Sequence, residues 1–157
     1  MSKRAQIAII DLLFALIIFI ALFLGFVLFW TLYEVRLTEN MRREEIELLA
    51  FQVSNALVKT PGYPSNWEMY PNLTLSPGLA SSDGVLSPAK IATFRNFTYN
   101  QTKAFFNIER YEYYLLIQKN ATVVYETNNT PSGKIVSVRR NVWYENQEAK
   151  LDFALWA

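Results

Sequence analysis

Residues 12–33, LLFALIIFIALFLGFVLFWTLY, form an unbroken run without a single charge. About 22 residues of helix rise about 33 Å, which is enough to cross the hydrocarbon of a bilayer. The run is apolar on every side, and nothing in the remaining chain can cover such a surface all round, so a transmembrane helix is expected rather than a buried one. It ends in Trp30 and Tyr33 followed by Glu34 and Arg36, which suits an outer headgroup belt. A cleaved secretory signal would carry a shorter apolar region and a small-x-small site after it, a pattern this run does not follow.

Charge does not orient the helix, because Lys3 and Arg4 before it are matched by Arg36, Arg42 and Arg43 after it. Glycosylation signals do. Asn72-Leu-Thr74, Asn96-Phe-Thr98, Asn100-Gln-Thr102, Asn120-Ala-Thr122 and Asn128-Asn-Thr130 are N-x-Thr sequons without a central Pro, where chance supplies about two. The expectation is a single-pass protein whose C-terminal part lies outside the cytoplasm, with Asn72, Asn96, Asn100, Asn120 and Asn128 as candidate N-glycosylation sites.

Beyond the lipid the helical period persists. Ile46, Leu49, Val53 and Ala56 or Leu57 share one face while Glu44, Glu45 and Glu47 lie off it. No Pro interrupts the chain before Pro61, so a single rod over residues 6–59, about 80 Å long, is expected. Pro61 ends it, since proline cannot continue a helix and disfavours helical geometry at Thr60. Residues 65–87 read as loop. Ser87-Pro88 places an N-cap and a first-turn proline before a short helix at Ala89 to Phe94, and a second short helix is expected around Gln101 to Phe106. From Arg110 the texture turns to β, with four strands separated by turn signals at residues 128–133 and 145–147, read as an antiparallel meander. Leu151, Phe153 and Leu155 alternate with Asp152, Ala154 and Trp156, so one sheet face can cover the stripe of the rod. The expected fold class is α+β. Its organisation is a leader over residues 1–5, a transmembrane helix over 6–33, an exterior continuation over 34–60, a loop-rich segment with short helices over 61–109, and an antiparallel head over 110–157.

Composition narrows the function. The chain has no His and no Cys, which removes imidazole acid–base chemistry, thiolate nucleophiles, disulfides and most zinc sites. A Cys-free exterior domain points to a prokaryotic surface. The net charge of +1 argues against nucleic acid as a partner. Glu109 and Glu112 are a candidate carboxylate pair, but three residues apart on a strand they face opposite ways. No nucleotide loop, triad or metal cluster is expected, no cofactor, and no enzyme activity.

At Lys3-Arg4-Ala5-Gln6 the sequence resembles the class III signal peptides of archaeal type IV pilin-like proteins, in which a prepilin peptidase cuts after a small residue and the apolar helix is retained. The resemblance implies cleavage between Ala5 and Gln6 and a membrane subunit whose helices pack with other pilin-like subunits in a filament. It also implies the pilin-like plan of a long helix followed by a β-sheet head. In that family an acid lies four positions after the new N-terminus. Here that place is Ile10 and the acid is Asp11, about 100° further round the helix; the resemblance assigns it to subunit pairing.

Two functions follow as expectations. One is a structural subunit or minor component of a pilus-like filament. The other is a monomeric anchored protein whose aromatic-rich head, with Tyr63, Trp67, Tyr70, Tyr111, Tyr113, Tyr114, Trp143 and Tyr144, meets a surface glycan or a protein ligand. Membrane lipid is a partner in both.

Overall fold

In the computed structural model, residues 12–157 are described in full and residues 3–11 as helical backbone only. One helix, α1, runs over Lys3–Lys59. The chain divides into two compact units, Met1–Arg43 and Glu44–Ala157. In the first, every side chain from residue 12 onward is exposed, including the large apolar ones such as Leu12, Phe19, Leu22 and Phe29. By length and composition this is the helix able to cross a membrane.

The second unit is an α+β domain. Its strands are β1 (Gly62–Tyr63), β2 (Ser76–Pro77), β3 (Ala80–Ser82), β4 (Val85–Leu86), β5 (Glu112–Lys119), β6 (Thr122–Glu126), β7 (Val136–Tyr144) and β8 (Gln147–Trp156). Two short helices, α2 (Pro88–Phe94) and α3 (Tyr99–Phe105), precede β5. Strands β1 and β2 form a small ribbon, and the other six form one sheet in the order β3-β4-β7-β8-β5-β6. Ile46, Ala50, Val53, Leu57 and Val58 of α1 are buried with Tyr113, Leu115 and Ile117 of β5 and Leu151, Phe153 and Leu155 of β8. The 3.6-residue period of the helix and the two-residue period of the strands present matching apolar faces. Helices α2 and α3 join that core through Phe94 on Tyr125, at 5.4 Å, and Tyr99 stacked on Tyr113, at 4.6 Å.

Two expectations are corrected. The C-terminal strands are not a meander: β8 sits between β5 and β7, and β6 and β7 do not pair. The reason is burial, because β8 carries Ala149, Leu151, Phe153, Ala154, Leu155 and Trp156 all below a tenth exposed, and a strand so apolar belongs in the middle of a sheet. The strands of residues 110–157 pair antiparallel throughout, as expected, and β4 adds one parallel pairing from outside that segment, Val85 and Leu86 with Trp143 and Tyr144, so the whole sheet is mixed. The 65–87 loop also contains the short strands β2 to β4 and the 3-10 turns Trp67–Met69 and Pro71–Leu73.

That loop finishes the helix. The last carbonyls of a helix lack partners along the helix itself, and here they find them in the folded-back chain. Ala56 O accepts from Thr60 N and Oγ1, Leu57 O from Leu79 N at 2.9 Å, and Val58 O from Gly84 N at 3.1 Å. Trp67, fully buried, donates its indole N–H towards the carbonyls of Pro61 and Gly78 at 3.1 and 3.0 Å. Lys90, 4% exposed, donates from Nζ to Pro61 O at 2.6 Å and Ala80 O at 3.1 Å. Burial pushes this ammonium below the usual lysine range, and nearby Glu68 partly offsets it. Gly78 lies so close that a Cβ there would stand 2.1 Å from Thr60 O.

Truncation of Leu57, which is fully buried, is expected to cost about 2–5 kcal/mol. Gly78→Ala is expected to lower the melting temperature as well, because the clash is with backbone that cannot rotate away. Thermal unfolding of the purified full chain in detergent, followed by Trp fluorescence, checks both.

Candidate functional site

The expected site residues fall into three groups. Lys3, Arg4, Ala5, Gln6 and Asp11, assigned to leader processing and subunit pairing, lie outside the residues whose side chains are described. The five sequon asparagines lie on the second unit and all five are exposed, whereas their threonines divide: Thr98, Thr122 and Thr130 are exposed and Thr74 and Thr102 are buried. The aromatic residues separate too. Trp67, Tyr111 and Tyr113 are buried in the core, Tyr114 and Tyr144 are half-buried, and only Tyr63, Tyr70 and Trp143 stand exposed. Trp67, Tyr111 and Tyr113 therefore fill the head rather than facing a ligand.

The structure also assembles a cleft of about 750 Å³ along β6, an outer strand of the sheet. Its walls are residues 123–129 on one side and Arg95, Phe97 and Tyr99 on the other, with Glu112 and Tyr113 completing the lining. Strand β6 bulges at this point: the register against β5 shifts between Ile117 and Gln118, where Val123 and Tyr125 face them and Val124 is left over. The Arg95 guanidinium donates to the carbonyl of Val124. A bulge and a bound arginine both blunt an outer strand against unwanted pairing.

At one end of the cleft four side chains converge. Helix α3 begins with a capping box in which Thr98 and Gln101 satisfy each other's backbone N–H groups, and this fixes the helix that carries Tyr99 and Lys103. The Tyr99 hydroxyl donates to Glu112 Oε2 at 2.8 Å, and accepts from the Tyr113 N–H at 2.8 Å and the Asn129 amide at 2.9 Å. Lys103, 9% exposed, pairs with Glu112 Oε1 at 2.9 Å. Asn129 also donates to Glu112 Oε2 at 3.2 Å. Glu112 thus accepts from three donors, and Lys103 first, then Tyr99, hold its carboxyl below the ordinary range. Burial, ahead of the neighbouring carboxylate, pushes the Tyr99 hydroxyl up.

Glu109, the other member of the candidate carboxylate pair, lies in the turn before β5 rather than on the strand with Glu112. Lys103 and Asn129, separated from Glu112 by 9 and 17 residues, were not singled out in the sequence; only the strand order brings them together. The Thr98-x-x-Gln101 spacing was the one local signal that marked the start of α3. Among the described residues no three of Asp, Glu, His and Cys gather to hold a metal.

Glu112 links this site to pH. Its folded carboxyl releases its proton more readily than the unfolded one, so the stabilisation is fully present above about 4.5 and lost as pH falls through the lower folded value. Because the Glu112 side chain is 46% exposed, solvent screens the pair, and Glu112→Gln is expected to cost about 1 kcal/mol at neutral pH. The gap between the two proteins should close under acid, which melting curves at neutral pH and below pH 4.5 measure directly.

No protein-family model, no curated protein and no solved structure matches the chain, so its function is argued from its own residues.

Proposed function

We propose that the chain is a membrane-anchored structural subunit, or a minor component, of an archaeal type IV pilus-like surface filament, with its C-terminal head outside the cytoplasm. The observation that carries this reading is the continuity of α1: the same helix holds an apolar run with no buried side chain and, beyond residue 44, the stripe that builds the core of the head. A helix that is apolar all round is satisfied by lipid or by other helices of its kind. Prepilin peptidase acting between Ala5 and Gln6 would free an amino group at the cytoplasmic end. Asp11 of a neighbouring subunit is the acid available to neutralise it, since a carboxylate within the apolar run is costly unless it pairs or reaches the headgroups.

The alternative, a monomeric anchored binding or adhesion protein, draws on the cleft beside β6 and on exposed Tyr63, Tyr70 and Trp143. The two readings part at the membrane helix. Single cysteines placed in turn at residues 12–33 of this Cys-free chain and oxidised in native membranes should cross-link copies with a period of three to four residues if subunits pack. Uniformly absent cross-links would sink the filament reading and favour the monomer. The peptidase assignment is checked separately: Ala5→Leu should leave the leader attached, and unchanged product size would remove that argument.

A further inference from the structure

The five sequons are alike in sequence but not in the folded chain. Transfer of an oligosaccharide to N-x-Thr needs two groups at once, the Asn amide as nucleophile and the Thr hydroxyl as the recognised element. At two of the five sites the fold separates them. Asn100 and Thr102 lie in α3, where residues two apart point about 200° from each other. Asn100 faces solvent while Thr102 is 1% exposed and its hydroxyl donates to Thr98 O at 3.1 Å. Asn72 lies in the 3-10 turn Pro71–Leu73, and Thr74 just after it is 7% exposed with its Oγ1 buried.

The other three differ in degree. Thr98 is exposed, but its hydroxyl belongs to the capping box, so recognition of Asn96 has to open the start of α3. Asn120 and Ala121 form the turn between β5 and β6, at φ of 46° and 65°, with Asn120 and Thr122 both exposed. The Asn120 amide reaches only the exposed Gln147 side chain, at 3.1 Å, a bond that water replaces readily. Asn128 and Thr130 are both exposed in chain without regular structure after β6.

We infer that the folded head offers two N-glycosylation sites, Asn128 and Asn120, that Asn96 is a slow third, and that Asn72 and Asn100 are open only before folding. The acceptor chemistry is the same at each site. The Asn Nδ2 bonds to the anomeric carbon of a lipid-linked oligosaccharide, the bond from that carbon to the lipid phosphate oxygen breaks with its electron pair leaving on the phosphate, and the amide proton passes to a base of the transferase. Asn128 also lines the cleft beside β6, so a glycan there stands at its mouth. The inference rests on the exterior placement of the head for its use in the cell, but not for its test.

The full chain, made without glycans and purified folded in detergent, is incubated with an N-x-Thr oligosaccharyltransferase and its lipid-linked oligosaccharide, and site occupancy is followed by peptide mass spectrometry. Five synthetic peptides, one per sequon, report what each sequence accepts when unfolded. Relative to its own peptide, Asn128 and Asn120 should be modified within a few-fold of the same rate, Asn96 several-fold more slowly, and Asn72 and Asn100 at least tenfold more slowly. Thr130→Val should abolish transfer to Asn128 and leave Asn120 unchanged. Modification of Asn72 or Asn100 in the folded chain as fast as in the peptides overturns the inference, as does silence at both Asn120 and Asn128. Sites that accept sugar in this reaction yet are bare in protein from its native membrane count against the exterior placement alone, and leave the inference standing.

Discussion

The head depends on how α1 ends. A helix stops with carbonyls that have lost their partners, and burying such an end without replacements is costly. Here Leu79 and Gly84 supply backbone N–H groups to Leu57 and Val58, while Trp67 and Lys90 bind the carbonyls of the chain that turns away at Pro61, Gly78 and Ala80. These bonds fold the 61–90 segment back over the helix terminus. They thereby place β4 against β7 and start α2 from Ser87, whose hydroxyl caps it. Lys90 does this work with a charge that burial makes less favourable, so the geometry of its two carbonyl bonds has to repay the desolvation.

From that anchor the rest is a two-layer arrangement. The stripe Ile46, Ala50, Val53 and Leu57 meets one face of the sheet, Phe94 of α2 and Tyr99 of α3 pack there on Tyr125 and Tyr113, and the opposite face carries polar pairs such as Arg139 with Asp152 at 2.6 Å. Arg140 extends from β7 to the helix, lying over the Phe51 ring at 4.6 Å with its guanidinium 3.4 Å from the Ser54 hydroxyl. Leu48 and Phe51 nevertheless stay at least half exposed on the outer face of α1.

Local chemistry made much of this legible in the sequence. The helix stripe, its stop at Thr60-Pro61, the Ser87-Pro88 start of α2 and the β-rich end all follow from propensity, period and capping, which act over a few residues. The strand order did not follow, because the choice between a meander and a central β8 depends on total burial across the sheet. The start of α3 at Tyr99 rather than Gln101 was announced by the Thr98–Gln101 capping box, a local signal that the apolar pattern obscured. The Tyr99–Lys103–Glu112–Asn129 cluster draws on two helical, one strand and one loop position, so no short window contains it. Trp67 and Tyr113, read as candidates for a ligand face, are instead among the largest fully buried side chains.

The central claim is a packed head carried outside the cell by a helix that lies in lipid. The absence of Cys makes the test clean. Ser65→Cys, at an exposed position of the head, and Leu22→Cys, in the middle of the apolar run, are each treated in intact cells and after lysis with a membrane-impermeant maleimide. The account predicts that the Ser65 variant labels fully in intact cells and that the Leu22 variant stays unlabelled in both conditions. Labelling of the Ser65 variant only after lysis, or ready labelling of the Leu22 variant, would contradict it.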